Sequence, residues 1–202
     1  MRPLVRTAVA AISFSLIGLL PAIPAPAASA PASARYDVQA GNPLLPFARA
    51  AGERVVLADK VAAAKYGTPA PIDDPVREKA VLDRVAGISL EWGIDPEASV
   101  RIFRDQIEAN KLVQREWYRR WDVGQVRPPE ERPDLAELRT LIDQLNAVLL
   151  AEIRRTVDDR SRPSCVTKQT RAYATVVGEQ RLDGLHSMAL ARALPSLCAM
   201  LR

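Results

Sequence analysis

The chain has 202 residues, 48% of them hydrophobic and 5% aromatic, with 28 Lys+Arg against 24 Asp+Glu. That length suits one domain or two small ones, and a balance rich in Ala, Leu, Val, Arg and Glu but poor in glycine favours an all-helical protein. The formal net charge of +4 falls to +2 once Arg2 and Arg6 leave with the leader, too small an excess to argue for a nucleic-acid or membrane-surface partner.

The leader is residues 1–30. Arg2 and Arg6 precede AVAAISFSLIGLL, an apolar run too short for a comfortable membrane span, and PAIPAPAASA closes with Ala28-Ser29-Ala30. These are the three regions of a secretory signal peptide, cut after Ala30 or alternatively after Ala34. An uncleaved anchor is the rival reading, and the Pro-rich, small-residue exit opposes it. No other stretch is long and apolar enough to span a bilayer. The mature chain is therefore expected to be secreted or periplasmic, free of the membrane once the signal is removed.

Residues 31–41 read as a mobile linker, and 42–202 as a single helical domain. Asn42 is expected to cap a first helix that reaches Tyr66, where Gly67, Pro69 and Pro71 stop it. Phe47, Ala51, Arg54, Ala58, Val61/Ala62 and Lys65 fall on one face of it, so two cations share a stripe of small apolar residues. They lie about three turns, or ~16 Å, apart along the axis. Buried cations are costly unless paired. The stripe therefore faces internal carboxylates or awaits an anionic ligand, and its alanines leave room for one.

Asp74-Pro75 caps a second helix, with Val76, Ala80, Val81, Val85, Ile88 and Trp92 at helical spacing and Gly93 at its end. Asp95-Pro96 caps a third. Its inner stripe is Val100, Phe103, Ile107, Asn110, Gln114, Trp117 and Trp121, an apolar line interrupted by two neutral hydrogen-bonders one turn apart. After a Pro-rich loop over 122–133, Asp134 caps a fourth helix. Leu135, Leu138, Ile142, Leu145, Leu149 and Ile153 form its seam, and Arg139 lies beside it. Ser164 starts a fifth helix. A sixth begins near Asp183, with Pro195 as its bend or stop. No run alternates with period two for long enough to make a strand.

Cys165 and Cys198 are the only cysteines. An even count in an exported chain points to a disulfide between them, the alternative being two buried free thiols. Closing that loop would contribute roughly 3–4 kcal/mol in the chain-entropy picture. With the lone His186 they do not make a four-ligand zinc site, so no metal is expected. His186 itself is assigned a surface or cap role.

If these helices pack together, Arg54 and Lys65, then Asp74, Arg77 and Glu78, then Asn110 and Gln114, and finally Arg139 could converge. They would build a pocket of several cations, one or two acids and two neutral donors. Such a pocket suits a small polyanion, particularly a dicarboxylate, because guanidinium forks match carboxylates. Nucleophile machinery is missing: the sequence has no G-x-S-x-G, P-loop or G-x-G-x-x-G. Asp73 and Asp74 as a hydrolytic pair is a weak reading, since adjacent acids before proline more often cap a helix.

At these residues the sequence resembles the AroQ-class chorismate mutases, of the exported gamma type. The resemblance rests on ERVVLADKVAAAKY, DDPVREKAVL, RIFRDQIEANKLVQ and PDLAELRTLIDQLN in that order, followed by the late cysteine pair, and covers roughly Phe47 to Cys198. It implies an all-α, single-domain bundle of about six helices that rearranges chorismate to prephenate with no cofactor. Arg54 and Arg139 resemble the arginines that hold substrate carboxylates. Lys65 resembles the lysine at the ether oxygen and a carboxylate, and Gln114 the second donor to that oxygen. Asp74 and Glu78 resemble the pair near the substrate hydroxyl, with Arg77 between them. Asn110 stands where family members carry Ser or Thr, a departure that leaves its substrate contact open. Each chain is expected to build its own site, which makes homodimerisation a separate matter. A neutral donor at Gln114 also implies turnover that changes little between mildly acidic and neutral pH.

Three rival readings stand beside this one. One is an exported helical module that binds acidic metabolites or a protein partner without catalysis. Another is a lyase acting on isochorismate. The third is a nucleic-acid or surface binder using REWYRRWD at 115–122, better explained by Trp117 and Trp121 turned inward and the arginines outward.

Overall fold

A computed structural model describes residues 41–198. The expected signal peptide and nearly all of the linker lie outside the described residues. Seven α-helices follow in order: α1 Leu45–Lys65, α2 Pro75–Glu91, α3 Pro96–Asp122, α4 Leu135–Arg155, α5 Val157–Arg160, α6 Cys165–Glu179 and α7 Gly184–Ala193, then a 3-10 turn Pro195–Cys198. There is no strand among the described residues. The expectation of about six helices misses only α5, a single turn too short to carry a periodic signal.

Aspartates start four of the helices. Asp74 accepts from the Arg77 amide at 3.0 Å, Asp95 from those of Glu97 and Ala98, Asp134 from that of Ala136, and Asp183 from that of His186. Each satisfies an otherwise orphaned first-turn N–H. Asn42 does not do this for α1. Its carbonyl closes a turn with the Leu45 amide at 2.9 Å, its Oδ1 accepts from the Leu44 amide, and its Nδ2 donates to the Lys168 carbonyl at 2.6 Å. The helix therefore starts three residues later, with Pro46 in its first turn. At the other end α1 stops at Lys65, one residue short of the expected Tyr66, which is its C-cap, and Gly67 adopts φ +68°, a left-handed value that suits glycine.

The first helix is the centre of the bundle, packing against α3, α4, α6 and α7. Phe47, Ala51, Ala58 and Ala62 are fully buried. The alanines let neighbouring helices approach closely, and Gly52 does so against α6. A Cβ on Gly52 would stand 2.8 Å from Val176 Cγ1 and would also strike the Gln180 amide. Gly52→Val is therefore expected to destabilise the fold by about 1–3 kcal/mol through overpacking, read as a lowered urea midpoint with an unchanged m-value.

The expected inner face of α2 holds from Val81 onward, where Val81, Ile88 and Trp92 pack against the core, but fails at the start of the helix. Val76 is 80% exposed and Ala80 is also exposed, whereas Leu82, Val85 and Ser89 are buried. Periodicity fixes that a helix has a face but not where its neighbour begins to cover it. Near its start α2 borders an open cavity instead of core. The Pro-rich loop returns the chain to α4, which lies along α1. At the far end of α3, Trp117 and Trp121 stack with centroids 5.6 Å apart, and Tyr66 packs edge-on against Trp121 at 4.8 Å. These rings tie the C-terminal ends of α1 and α3 together. Trp121 is buried, Arg119 is exposed, and the Arg120 guanidinium covers the Trp117 ring. That is the inward-tryptophan arrangement expected for residues 115–122.

Cys165 and Cys198 are disulfide-bonded, with Cα atoms 5.7 Å apart. The bond fastens the start of α6 to the final turn.

His186 corrects its expected place on the surface. Its backbone amide joins the α7 cap, but its ring is buried between two carboxylates: Nδ1 is 2.7 Å from Asp183 Oδ1 and Nε2 is 2.9 Å from Asp59 Oδ1. Asp59 also accepts the indole N–H of Trp117, so α1, α3 and α7 meet at this carboxylate. Only an imidazolium can donate from both nitrogens. The bond to Asp59 leads in raising the His186 pKa above its ordinary value, burial opposes it, and Asp183 adds to the rise. The stabilisation from this proton is complete below the unfolded-state value, about 6.5. It is lost as pH climbs through the raised folded-state value. Urea midpoints should therefore fall as pH rises above about 6.5, and His186→Gln should flatten that slope.

Candidate active site

One cavity collects side chains from four elements. Helix α1 supplies Arg54, Val61 and Lys65. The following loop and first turn of α2 supply Ile72, Asp74, Arg77 and Glu78. Helix α3 supplies Ile107, Asn110, Lys111 and Gln114, and α4 supplies Leu135, Arg139 and Ile142. All eight polar residues singled out in the sequence, Arg54, Lys65, Asp74, Arg77, Glu78, Asn110, Gln114 and Arg139, therefore line the same space. They arrive there because α1 is flanked by α3 and α4 while α2 packs on α3.

The cations differ in how they are held. Arg54 is only 5% exposed. Its Nε donates to Asn146 Oδ1 at 3.2 Å and its Nη1 to the Gln106 carbonyl at 2.8 Å. Both acceptors are neutral. Burial pulls its pKa down to about 10, with the charge of Asp143 resisting, so it remains protonated at neutral pH. Lys65 is half-buried and donates to the Pro71 carbonyl at 2.8 Å. Burial lowers its pKa, the field of Arg139 lowers it further, and Asp74, Glu78 and Asp73 oppose the shift. Of the two alternatives for the cationic stripe, internal pairing is thus not what is found among the described residues: none of their carboxylates lies within salt-bridge distance of Arg54, Lys65 or Arg139.

Arg77 and Lys111, in contrast, are paired. Arg77 reaches Asp143 at 3.3 Å. Lys111 lies within 3.2 Å of Asp73 and Glu78 and 2.6 Å of Glu108. Arg115 also bonds Asp73 at 2.6 Å. Two cations of α3 thereby hold the loop between α1 and α2 over the cavity.

The two neutral residues form a chain. Asn110 Nδ2 donates to the Arg54 carbonyl at 3.2 Å, and Asn110 Oδ1 accepts from Gln114 Nε2 at 2.7 Å. Both polar ends of Asn110 are thus engaged within the protein. Gln114 is 3% exposed, and its Oε1 is buried with no partner among the described residues. A buried unpaired amide oxygen is costly. Nε2 also lies 3.4 Å from the Asn110 carbonyl, a long contact whose hydrogen a stronger acceptor on a ligand can take over.

Sequence reasoning did not single out Lys111, Asn146 or Asp143. Asn146 carried a visible signal: it follows Leu138 and Ile142 at steps of four on the α4 seam, as a polar residue on an apolar line. Lys111 and Asp143 carried none, because their importance comes from partners on other helices.

Taken together, an all-helical bundle encloses a cavity with three cations unmatched by carboxylates, two neutral amides and two acids. Such a lining suits a small polyanion, because cationic and amide donors match carboxylates. The sequence profile of chorismate mutase type II matches residues 48–115. The secreted chorismate mutase of Mycobacterium tuberculosis is 34% identical over 185 residues, 92% of this chain and 91% of that protein. The secreted chorismate mutase of Mycolicibacterium smegmatis is 35% identical over 157 residues, 78% of this chain and 87% of that protein. A crystal structure of chorismate mutase from Burkholderia phymatum superposes with a TM-score of 0.73 at 32% identity, covering 79% of this chain and 98% of that one. The chain belongs to the chorismate mutase type II family.

Proposed function

We propose that this protein rearranges chorismate to prephenate, and that the cavity of Arg54, Lys65, Gln114 and Arg139 is where it does so. The observation that carries the reading is the set of three cations, Arg54, Lys65 and Arg139, facing one cavity and paired with no carboxylate among the described residues. The reaction is a unimolecular [3,3] shift. It needs no nucleophile and calls for no cofactor. What it needs is an extended dianion held in its compact reactive conformer.

In this reading Arg54 and Arg139 take the substrate carboxylates. As the C–O bond breaks, negative charge grows on the ether oxygen. The Lys65 ammonium and the Gln114 amide are the donors that stabilise it, favouring the transition state over the ground state. Asp74 and Glu78 face the substrate hydroxyl, and Arg77 lies between them. Asn110 acts through its bonds to Gln114 and the Arg54 carbonyl. All of these side chains come from one chain, so catalysis asks nothing of a partner subunit, and homodimerisation stays a separate question.

The two mycobacterial relatives are named as secreted, and we read this chain as exported in the same way, through residues 1–30. No helix among the described residues is long and apolar enough to cross a membrane.

The test is to incubate the mature, disulfide-intact protein with chorismate in cofactor-free buffer and identify the product. Prephenate is the expected product. Pyruvate from isochorismate, with chorismate untouched, would replace the reading by the lyase. A folded protein that binds chorismate without converting it would replace it by the binding module.

A further inference from the structure

The acceptors that hold Arg54 are neutral, although a carboxylate stands one turn away. Asp143 lies three residues before Asn146 on α4 and takes no bond from Arg54. It accepts from Arg77 Nη2 at 3.3 and 3.5 Å and from Asn146 Nδ2 at 3.5 Å. Asn146 is itself buried, at 8% exposure.

The two ends of an asparagine amide are not equivalent. An ionised Asp143 can only accept, so it faces the Asn146 N–H group. The Asn146 oxygen is thereby turned towards Arg54 Nε, where it accepts at 3.2 Å. Arg77, from the other side, supplies the charge that Asp143 requires. Arg77 and Asp143 thus form an ion pair, Asn146 separates that pair from Arg54, and the charge of Arg54 is left over.

The guanidinium has five N–H donors. Two are spent, on Asn146 and on the Gln106 carbonyl. Three remain, in a buried place where an unmatched charge acts strongly on whatever enters.

We propose that Asn146, oriented by Asp143, is a positioning residue that fixes Arg54 while leaving its positive charge uncompensated for a substrate carboxylate. The inference rests on the reading of Arg54 as a carboxylate ligand. A carboxylate at position 146 would have the same shape and would hold Arg54 more firmly, but it would neutralise the charge that the substrate needs. Asparagine is the residue that orients without neutralising.

Asn146→Asp and Asn146→Ala separate these two roles. Besides Arg54, the charged groups around position 146 are Asp143 on its own helix and Arg77 and Arg84 on α2. A structural role alone predicts that alanine, which removes volume and an acceptor, is the more harmful change. The proposal predicts the reverse order for substrate binding. At pH 7.5 Asn146→Asp should raise KM for chorismate at least ~10-fold and above that of Asn146→Ala. Its thermal midpoint should stay at or above that of Asn146→Ala. A wild-type KM for Asn146→Asp at pH 7.5, or a KM defect larger in Asn146→Ala, overturns the proposal. Arg54→Ala is measured beside them. If it leaves KM unchanged, the reading of Arg54 itself fails. If it collapses binding while Asn146→Asp is silent, only the inference about Asn146 fails.

Discussion

Replacing Lys65 by alanine should lower kcat/KM for chorismate by roughly 10²–10³-fold or more, the scale of losing a principal donor to a developing oxyanion. The fold should persist. Lys65 is half-buried, and among the described residues its ammonium makes a single hydrogen bond, to the Pro71 carbonyl within the adjoining loop. Removing it also relieves the repulsion between it and Arg139. Arg54→Ala should be comparably harmful, with the loss weighted towards KM because Arg54 is assigned to a carboxylate present before and during the reaction. Steady-state kinetics with a thermal midpoint for each variant checks both statements. Activity retained in a folded Lys65→Ala protein would remove this cavity as the site of turnover.

Gln114→Glu should turn a pH-insensitive enzyme into an acid-dependent one. At neutral pH a glutamate would be an acceptor facing Asn110 Oδ1, which now receives the Gln114 N–H at 2.7 Å. Two acceptors would oppose each other, and the donor to the ether oxygen would be gone. A loss of roughly 10²–10³-fold in kcat is expected at pH 7.5. Activity should return as pH falls and the carboxyl regains a proton it can donate. Turnover of the unaltered protein should stay nearly flat across the same range, since a primary amide does not titrate. Gln114→Ala should show the loss without the recovery. A Gln114→Glu profile parallel to that of the unaltered protein would mean that another group supplies the second donor.

The legibility of the site in the sequence was uneven, for a physical reason. Arg54 and Lys65 were visible because a charge on an apolar stripe is anomalous wherever the helix lies. Asn110 and Gln114 were visible for the same reason on α3. Whether those anomalies were satisfied internally could not be read, because the carboxylates that might pair with them lie on other helices. Arg77 and Lys111 are paired in that way, while Arg54, Lys65 and Arg139 are not. His186 was invisible as a buried imidazolium, since Asp59 is 127 residues distant in sequence. Val76 and Ala80 satisfied helical periodicity yet are exposed, because at that end of α2 it is Arg77, Glu78 and Val81 that turn inward to the cavity.

The sequence by itself determined the helices, most of their aspartate caps, the disulfide partners and the polar residues on the apolar stripes. These follow from spacing, local hydrogen bonding and the cost of burying charge. The family resemblance was equally legible, because it resides in the order of four motifs. Tertiary structure alone decided which cations remain uncompensated. Asp143 stands close enough to influence Arg54, yet its geometry gives its hydrogen bonds to Arg77 and Asn146. A difference of one helical turn on α4 therefore decides whether Arg54 is neutralised or stays charged for a ligand. That difference is set by how α1, α2 and α4 pack, which no single stretch of the chain encodes.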